Sequence, residues 1–149
     1  MDWYAFVDEI LLQEADRVVT IHRLLERAPY FRDHFPGRPV LPGVLATEAM
    51  VQAGRLLLGR SRADAGRWVL GSARALRFSR FLSPGQWLVC DVRLKEASDD
   101  RCSLAASCLA AFEAPTDASA LDTLETAVSG RLVLRRAILA GATSGSGAS

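Results

Sequence analysis

The sequence has no paired-cysteine spacing, no long apolar run, no basic leader and no excess of charge of either sign. Cys90, Cys102 and Cys108 are an odd number with no CxxC spacing. That argues against a zinc centre or a disulfide framework, and for a reducing compartment such as the cytoplasm. All three lie in apolar-patterned segments and read as small buried hydrophobes. The longest oily stretch, residues 40–58, is broken by Pro42, Glu48, Gln52 and Arg55. It therefore falls short of the roughly 18 apolar residues that span a bilayer, and membrane insertion is not expected. The opening MDWYAFVDEI carries acids where a signal peptide has its basic region. A net charge of +1 leaves no global field for nucleic acid. The basic stretch of residues 55–80 also lacks aromatic interleaving or a recognition motif.

What remains is a globular composition, 50% hydrophobic and 23% charged over 149 residues, enough for one domain with a real core. That domain is expected over residues 1–140. The Gly/Ser/Ala-rich tail GATSGSGAS, residues 141–149, is expected to be disordered. Residues 5–13 and 17–25 read as two short strands, with His22 as a strand side chain. Four prolines and Gly37 make regular structure improbable over residues 28–42. A helix follows from Pro42, which suits a first turn, to Gly59, a plausible cap. Its apolar residues point in most directions, so it should be buried on most sides.

The remainder reads as sheet. Residues 67–78 are a strand candidate, and SPGQ, residues 83–86, is a strong turn. Leu88, Cys90, Val92 and Leu94 alternate with Val89, Asp91 and Arg93, giving one apolar face. Cys102, Leu104, Ala106, Cys108, Ala110 and Phe112 do the same after the SDDR turn at 98–101. A loose connection at 114–123 leads to a last strand over 124–136. One long buried helix with several antiparallel strands is an α+β arrangement, the sheet folded around the helix.

Two residues sit where folding alone would not place them. Glu48 is a carboxylate in a mostly apolar helix, sharing a single polar stripe with Gln52 and Arg55. Burial favours its protonated form and would make it a general acid, with Gln52 one turn along to orient it. The alternative is a partly exposed helix edge. His34 lies between Phe31, Phe35 and the Pro36–Gly37 turn. It is either a turn residue or a base, its ordinary pKa being near neutral. Gly43 opens the helix, so its N–H is unsatisfied by the helix and lies at the positive end of the dipole. Base, acid and oxyanion donor in one segment would suit proton abstraction beside a carbonyl. Seven arginines and one acid, Asp64, fall in residues 55–80; they either cover solvated strand faces or steer an acidic partner.

The stretch HFPGRPVLPGVLATEAMVQAG, residues 34–54, closely resembles the signature of the FabZ-type 3-hydroxyacyl-acyl-carrier-protein dehydratases, which have the hot-dog fold. His34, Phe35, Pro36, Gly37, Pro39, Pro42, Gly43, Val44, Leu45, Glu48, Ala49, Met50 and Gln52 stand at the family's fixed positions. Weaker similarity extends to YAFVDEI, residues 4–10, and LRFSRFLSPGQ, residues 76–86. Ala5, Glu9, Ala46, Thr47 and Gln86 depart from the usual pattern, as in a divergent member.

The resemblance implies an antiparallel sheet wrapped around one long central helix, with defined roles for the residues at its centre. His34 removes the α-proton of a (3R)-hydroxyacyl thioester, and Glu48 protonates the departing hydroxyl. The Gly43 N–H holds the thioester carbonyl, Gln52 positions the carboxylate or a water, and the Val40 carbonyl orients the His34 ring. It implies no metal and no cofactor beyond the phosphopantetheine arm that presents the substrate. His34 and Glu48 come from different subunits, so a homodimer or dimer-based assembly is expected. An acidic acyl carrier protein would dock on Arg32, Arg38, Arg74, Arg77 and Arg80. Fatty-acid and polyketide-like lipid biosynthesis both fit such chemistry. The competing readings are a hot-dog acyl thioesterase, and a non-catalytic acyl-binding subunit that partners an active homologue.

Overall fold

A computed structural model describes residues 2–32, 37–61 and 68–137. Six antiparallel strands form one sheet: β1 Glu9–Gln13, β2 Arg17–Arg23, β3 Trp68–Phe78, β4 Trp87–Ala97, β5 Arg101–Ala111 and β6 Glu125–Arg136. Their spatial order is β1-β2-β4-β5-β6-β3. The one long helix among the described residues, α1 Gly43–Ser61, packs across the inner face of the sheet.

The alternation read in β4 and β5 is that inner face. Leu88, Cys90, Val92, Cys102, Leu104, Ala106 and Cys108 are buried and share a core with Met50, Ala53 and Leu57 of the helix. Phe112, expected on the same apolar face, lies past the end of β5. Contact is close: a Cβ on Gly54 would stand 2.7 Å from Leu104 Cδ1, so only glycine lets the helix lie this near β5. Helix α1 starts after Pro42, whose carbonyl accepts the N–H groups of Leu45 at 2.9 Å and Ala46 at 3.2 Å. It runs through Gly59 to Ser61, two residues beyond the cap expected from the sequence; a glycine still has helical conformations available.

Three further expectations are corrected. The first strand begins at Glu9, not at residue 5, because the Phe6 N–H and the Tyr4 carbonyl are engaged by a side chain, Gln52, instead of a neighbouring strand. The second ends at Arg23, where Leu24 turns to pair with Gln86 and Gly85. The loose connection before β6 contains a 3-10 helix, Ala118–Thr123, started by Asp117 accepting the Ser119 N–H at 2.8 Å. Its Leu121 is buried over Val19, Ile21, Val89, Leu109 and Ala111, so it closes a second, smaller core on the outer face of the sheet.

Strand β3 is an edge. Its pairing with β6 slips between Leu70 and Ser72 and again between Arg74 and Arg77. Ala75 there takes φ 54°, the left-handed region that disfavours a side chain. These bulges bend β3 and break the two-residue period. The SPGQ turn forms with Gly85 at φ 88°. Gln86, one of the departures from the family pattern, is buried, and its Oε1 accepts the Ser83 N–H at 2.7 Å. The residue therefore holds the turn. The tail at 141–149 lies outside the described residues.

Candidate active site

The polar stripe of the helix is a hydrogen-bonded one. Gln52 Nε2 donates to Glu48 Oε2 at 2.9 Å, as residues one turn apart on a helix can. Gln52 also donates to the Tyr4 carbonyl at 2.7 Å, and its Oε1 accepts the Phe6 N–H at 2.7 Å. Arg55 is occupied: its Nε donates to the Trp68 carbonyl at 2.7 Å. Glu48 is half-buried, and among the described residues no cation pairs with it. The one side-chain hydrogen bond Glu48 accepts among the described residues is thus from a neutral amide, which fixes the orientation of the carboxyl group.

Gly43 stands at the first turn of α1, where a backbone N–H has no intrahelical acceptor. It lines a cavity of about 400 Å³ together with Val40, Ala46, Phe78, Phe81 and Val128. The cavity wall is mainly apolar and suits an acyl chain. Val40 is buried, and the Leu41 N–H donates to the Leu82 carbonyl at 2.8 Å, which fixes the segment entering the helix. Glu48 follows Gly43 by five residues, about 140° around the axis at ~100° per residue. The cavity and the Glu48–Gln52 stripe therefore open on different sides of one helix.

His34, the expected base, lies outside the described residues. The structure does place the turn that leads to it: a 3-10 turn, Pro29–Phe31, buries Tyr30 and Phe31. Tyr30 packs on Phe31 at 4.9 Å, Tyr4 at 5.9 Å and Phe6 at 6.0 Å between ring centroids. Burial, with the negative charge of Asp8 and the neighbouring Tyr4, pushes the Tyr30 hydroxyl up to about 12.

The five arginines expected to dock a partner are distributed unequally. Arg38 is exposed and lies 5.5 Å over the ring of Phe81, a residue of the cavity wall. Arg80 lines the cavity and pairs with Glu125. Arg32 is exposed at the end of the 3-10 turn, and Arg74 and Arg77 are exposed on edge strand β3. His22, read as an ordinary strand residue, has a partner the sequence did not announce: its Nδ1 lies 2.9 Å from Asp8 Oδ1. Phe78 and Phe81 were also missed as cavity walls, since aromatics at a strand end carry no distinguishing pattern.

The three cysteines are buried and none is in a disulfide. Hydrogen bonding with Cys90 and complete burial push the Cys108 thiol well up from its ordinary value. Among the described residues no group of three or more His, Cys, Asp or Glu is placed to hold a metal ion. No helix among them is long and apolar enough to cross a membrane.

Comparison with known proteins matches residues 5–117 to the model of the FabA-like domain. The 3-hydroxyacyl-[acyl-carrier-protein] dehydratase FabZ of Desulforamulus reducens is 43% identical over 94 residues, 61% of this chain and 66% of that protein. FabZ of Paracidovorax citrulli is 35% identical over 96 residues, with the same coverage. The chain thus spans 66% of the length of these relatives. Among solved structures, the dehydratase heterocomplex ApeI:P from Xenorhabdus doucetiae superposes with a TM-score of 0.70 at 17% identity, covering 94% of this chain and 88% of that one. The E. coli PaaI protein superposes with a TM-score of 0.63 at 11% identity, covering 86% and 82%. At these identities the structures show the fold alone: the helix wrapped by its sheet is the hot-dog fold.

Proposed function

Because the chain belongs to the FabA-like domain family, we propose that it dehydrates 3-hydroxyacyl thioesters, presented on an acyl carrier protein, to trans-2-enoyl thioesters. The observation that carries this reading is Glu48, half-buried, aligned by Gln52 and paired with no cation among the described residues. In the reaction His34 takes the α-proton while the thioester oxygen accepts from the Gly43 N–H. Glu48 gives its proton to the 3-hydroxyl, which leaves as water, and the electron pair of the broken C–H bond becomes the new double bond. The Val40 carbonyl orients the His34 ring. No electrons are exchanged with a second reagent, so the reaction asks for no cofactor beyond the phosphopantetheine arm that carries the substrate.

Two copies act together in this reading. Gly43 and Glu48 face different sides of one helix, so one substrate meets the Gly43 of one copy and the Glu48 of the other. The exposed Val69, Leu70 and Phe78 of edge strand β3 support a second copy on that side, as an unpaired edge strand invites. Arg80 in the cavity lining and Arg38 over the Phe81 ring, with Arg32, Arg74 and Arg77, supply positive charge for an acidic carrier protein. Buried cysteines outside any disulfide fit the reducing cytoplasm.

The test is product analysis with a carrier-linked 3-hydroxyacyl thioester. A conjugated enoyl thioester is expected, and it should be lost in both His34→Ala and Glu48→Ala. Full activity in both variants would refute the assignment, and thiol release without enoyl formation would identify a thioesterase. Activity that appears only on adding a homologous subunit would identify a non-catalytic partner.

A further inference from the structure

Residues 4–6 precede the first strand, and two of their backbone groups are spent on one side chain. The Phe6 N–H donates to Gln52 Oε1 at 2.7 Å. Gln52 Nε2 donates to the Tyr4 carbonyl at 2.7 Å and to Glu48 Oε2 at 2.9 Å. A carboxamide has one accepting end and one donating end. Turned over, it would set its NH2 against the Phe6 N–H and its oxygen against the Tyr4 carbonyl, two repulsive contacts. The segment thus selects one orientation, the one in which the NH2 reaches Glu48.

We propose that residues 4–6 are a positioning element of the reaction: they lock the Gln52 amide so that Glu48 Oε2 is always an acceptor and the proton Glu48 delivers is held on Oε1. This rests on the dehydratase reading and adds to it an element outside the signature stretch of residues 34–54.

The segment is built to hold still. Phe6 is 1% exposed and stands edge-on to His22 at 5.4 Å. Two residues on, Asp8 pins the chain to β2 three times. Its N–H donates to the Ile21 carbonyl at 2.8 Å, its Oδ2 accepts the Arg23 N–H at 2.9 Å, and its Oδ1 meets His22 Nδ1. The rings of Tyr4 and Phe6 also rest on Tyr30, in the turn just upstream of His34. One short segment therefore braces the amide that holds the acid and the turn that leads to the base.

The test replaces Phe6 with its α-hydroxy analogue, phenyllactic acid, which keeps the ring and exchanges the N–H for an ester oxygen. One hydrogen bond of ordinary strength is removed, so kcat should fall roughly three- to tenfold. KM should stay within about twofold, the far-ultraviolet dichroism should be unchanged, and the ester should have no further effect in a Gln52→Ala background. Replacing Ala5 with lactic acid makes the Tyr4 carbonyl a weaker acceptor and should lower kcat in the same sense. Unchanged kcat, a loss confined to KM, or an equal loss in the Gln52→Ala background would overturn the proposal. Undiminished turnover in Glu48→Ala with the natural backbone would instead bring down the dehydratase reading itself.

Discussion

The Phe78 ring lies so close over Gly43 that a Cβ on that glycine would stand 2.7 Å from Phe78 Cε1. A side chain at residue 43 would therefore have to displace that ring and would crowd any ligand that approaches the N–H. Phe78 is 57% exposed within one copy, so its ring can shift at little cost to the fold of that copy. Alanine also favours helix by up to about 1 kcal/mol over glycine. Gly43→Ala should therefore melt within a few degrees of the parent. Its displaced ring and methyl group crowd the N–H proposed to bind the thioester oxygen, and loss of one such donor costs about 10²-fold or more. Thermal melts and dehydration kinetics on one preparation separate the two effects: near-normal stability with near-normal turnover would remove Gly43 from the mechanism.

Arg80 lines the cavity but is engaged by Glu125, whose side chain is 74% exposed. A surface pair of this kind contributes about 0–1 kcal/mol, so breaking it leaves the fold intact. Glu125→Gln should release Arg80 for an acidic carrier protein and lower KM for the carrier-linked substrate. Arg80→Ala should raise it. Neither should change KM for the same acyl group on free pantetheine, which has no protein surface to dock. Parallel kinetics with both substrates provide the check, and equal shifts with the two would assign Arg80 to the acyl cavity instead.

The parts of the fold legible in the sequence are those where one face is buried and the period is unbroken. Leu88, Cys90 and Val92, then Cys102, Leu104 and Ala106, alternate because α1 lies on one side of β4 and β5. Edge strand β3 loses its alternation at two bulges. Residues 5–8 have strand-like composition, yet the Phe6 N–H and the carbonyl of the preceding Tyr4 go to the Gln52 side chain instead of a neighbouring strand. Leu121 and Leu124, set among small and polar residues, give no strand or helix period even though they close the outer core. The same division runs through the site. Glu48 and Gln52 are one helical turn apart, so their contact follows from spacing. The pairing of Gly43 with Phe78, 35 residues apart, and of Asp8 with His22 across two strands, depends on packing that no local spacing records.

Cys90 and Cys108 are directly opposed on β4 and β5, with their sulfurs 3.8 Å apart beneath the helix. Both are essentially inaccessible, and the Cys108 thiol is held well above its ordinary range. Thiolate is the reactive form. Iodoacetamide at mildly alkaline pH should therefore label none of the three cysteines in the folded protein and all three in denaturant. Intact-mass measurement reads this directly. Native labelling at Cys90 or Cys108 would mean that the helix lifts from the sheet on the labelling timescale.

Tyr30 gives the fold an alkaline limit. Its hydroxyl is pushed up to about 12, chiefly by burial and further by Tyr4 and Asp8, while in the unfolded chain it ionises near 10. The folded state thus favours the neutral phenol. That contribution is complete below pH ~10, where both states are protonated, and is lost as pH rises towards ~12, because the unfolded chain sheds its proton first. Two units correspond to about 2–3 kcal/mol. Urea midpoints between pH 8 and 12 should therefore fall in the parent, and Tyr30→Phe should fall less by about that amount. Parallel curves for the two would show that the ring is hydrated in solution. They would also remove the packed Tyr4–Tyr30–Phe6 contact that braces the turn leading to His34.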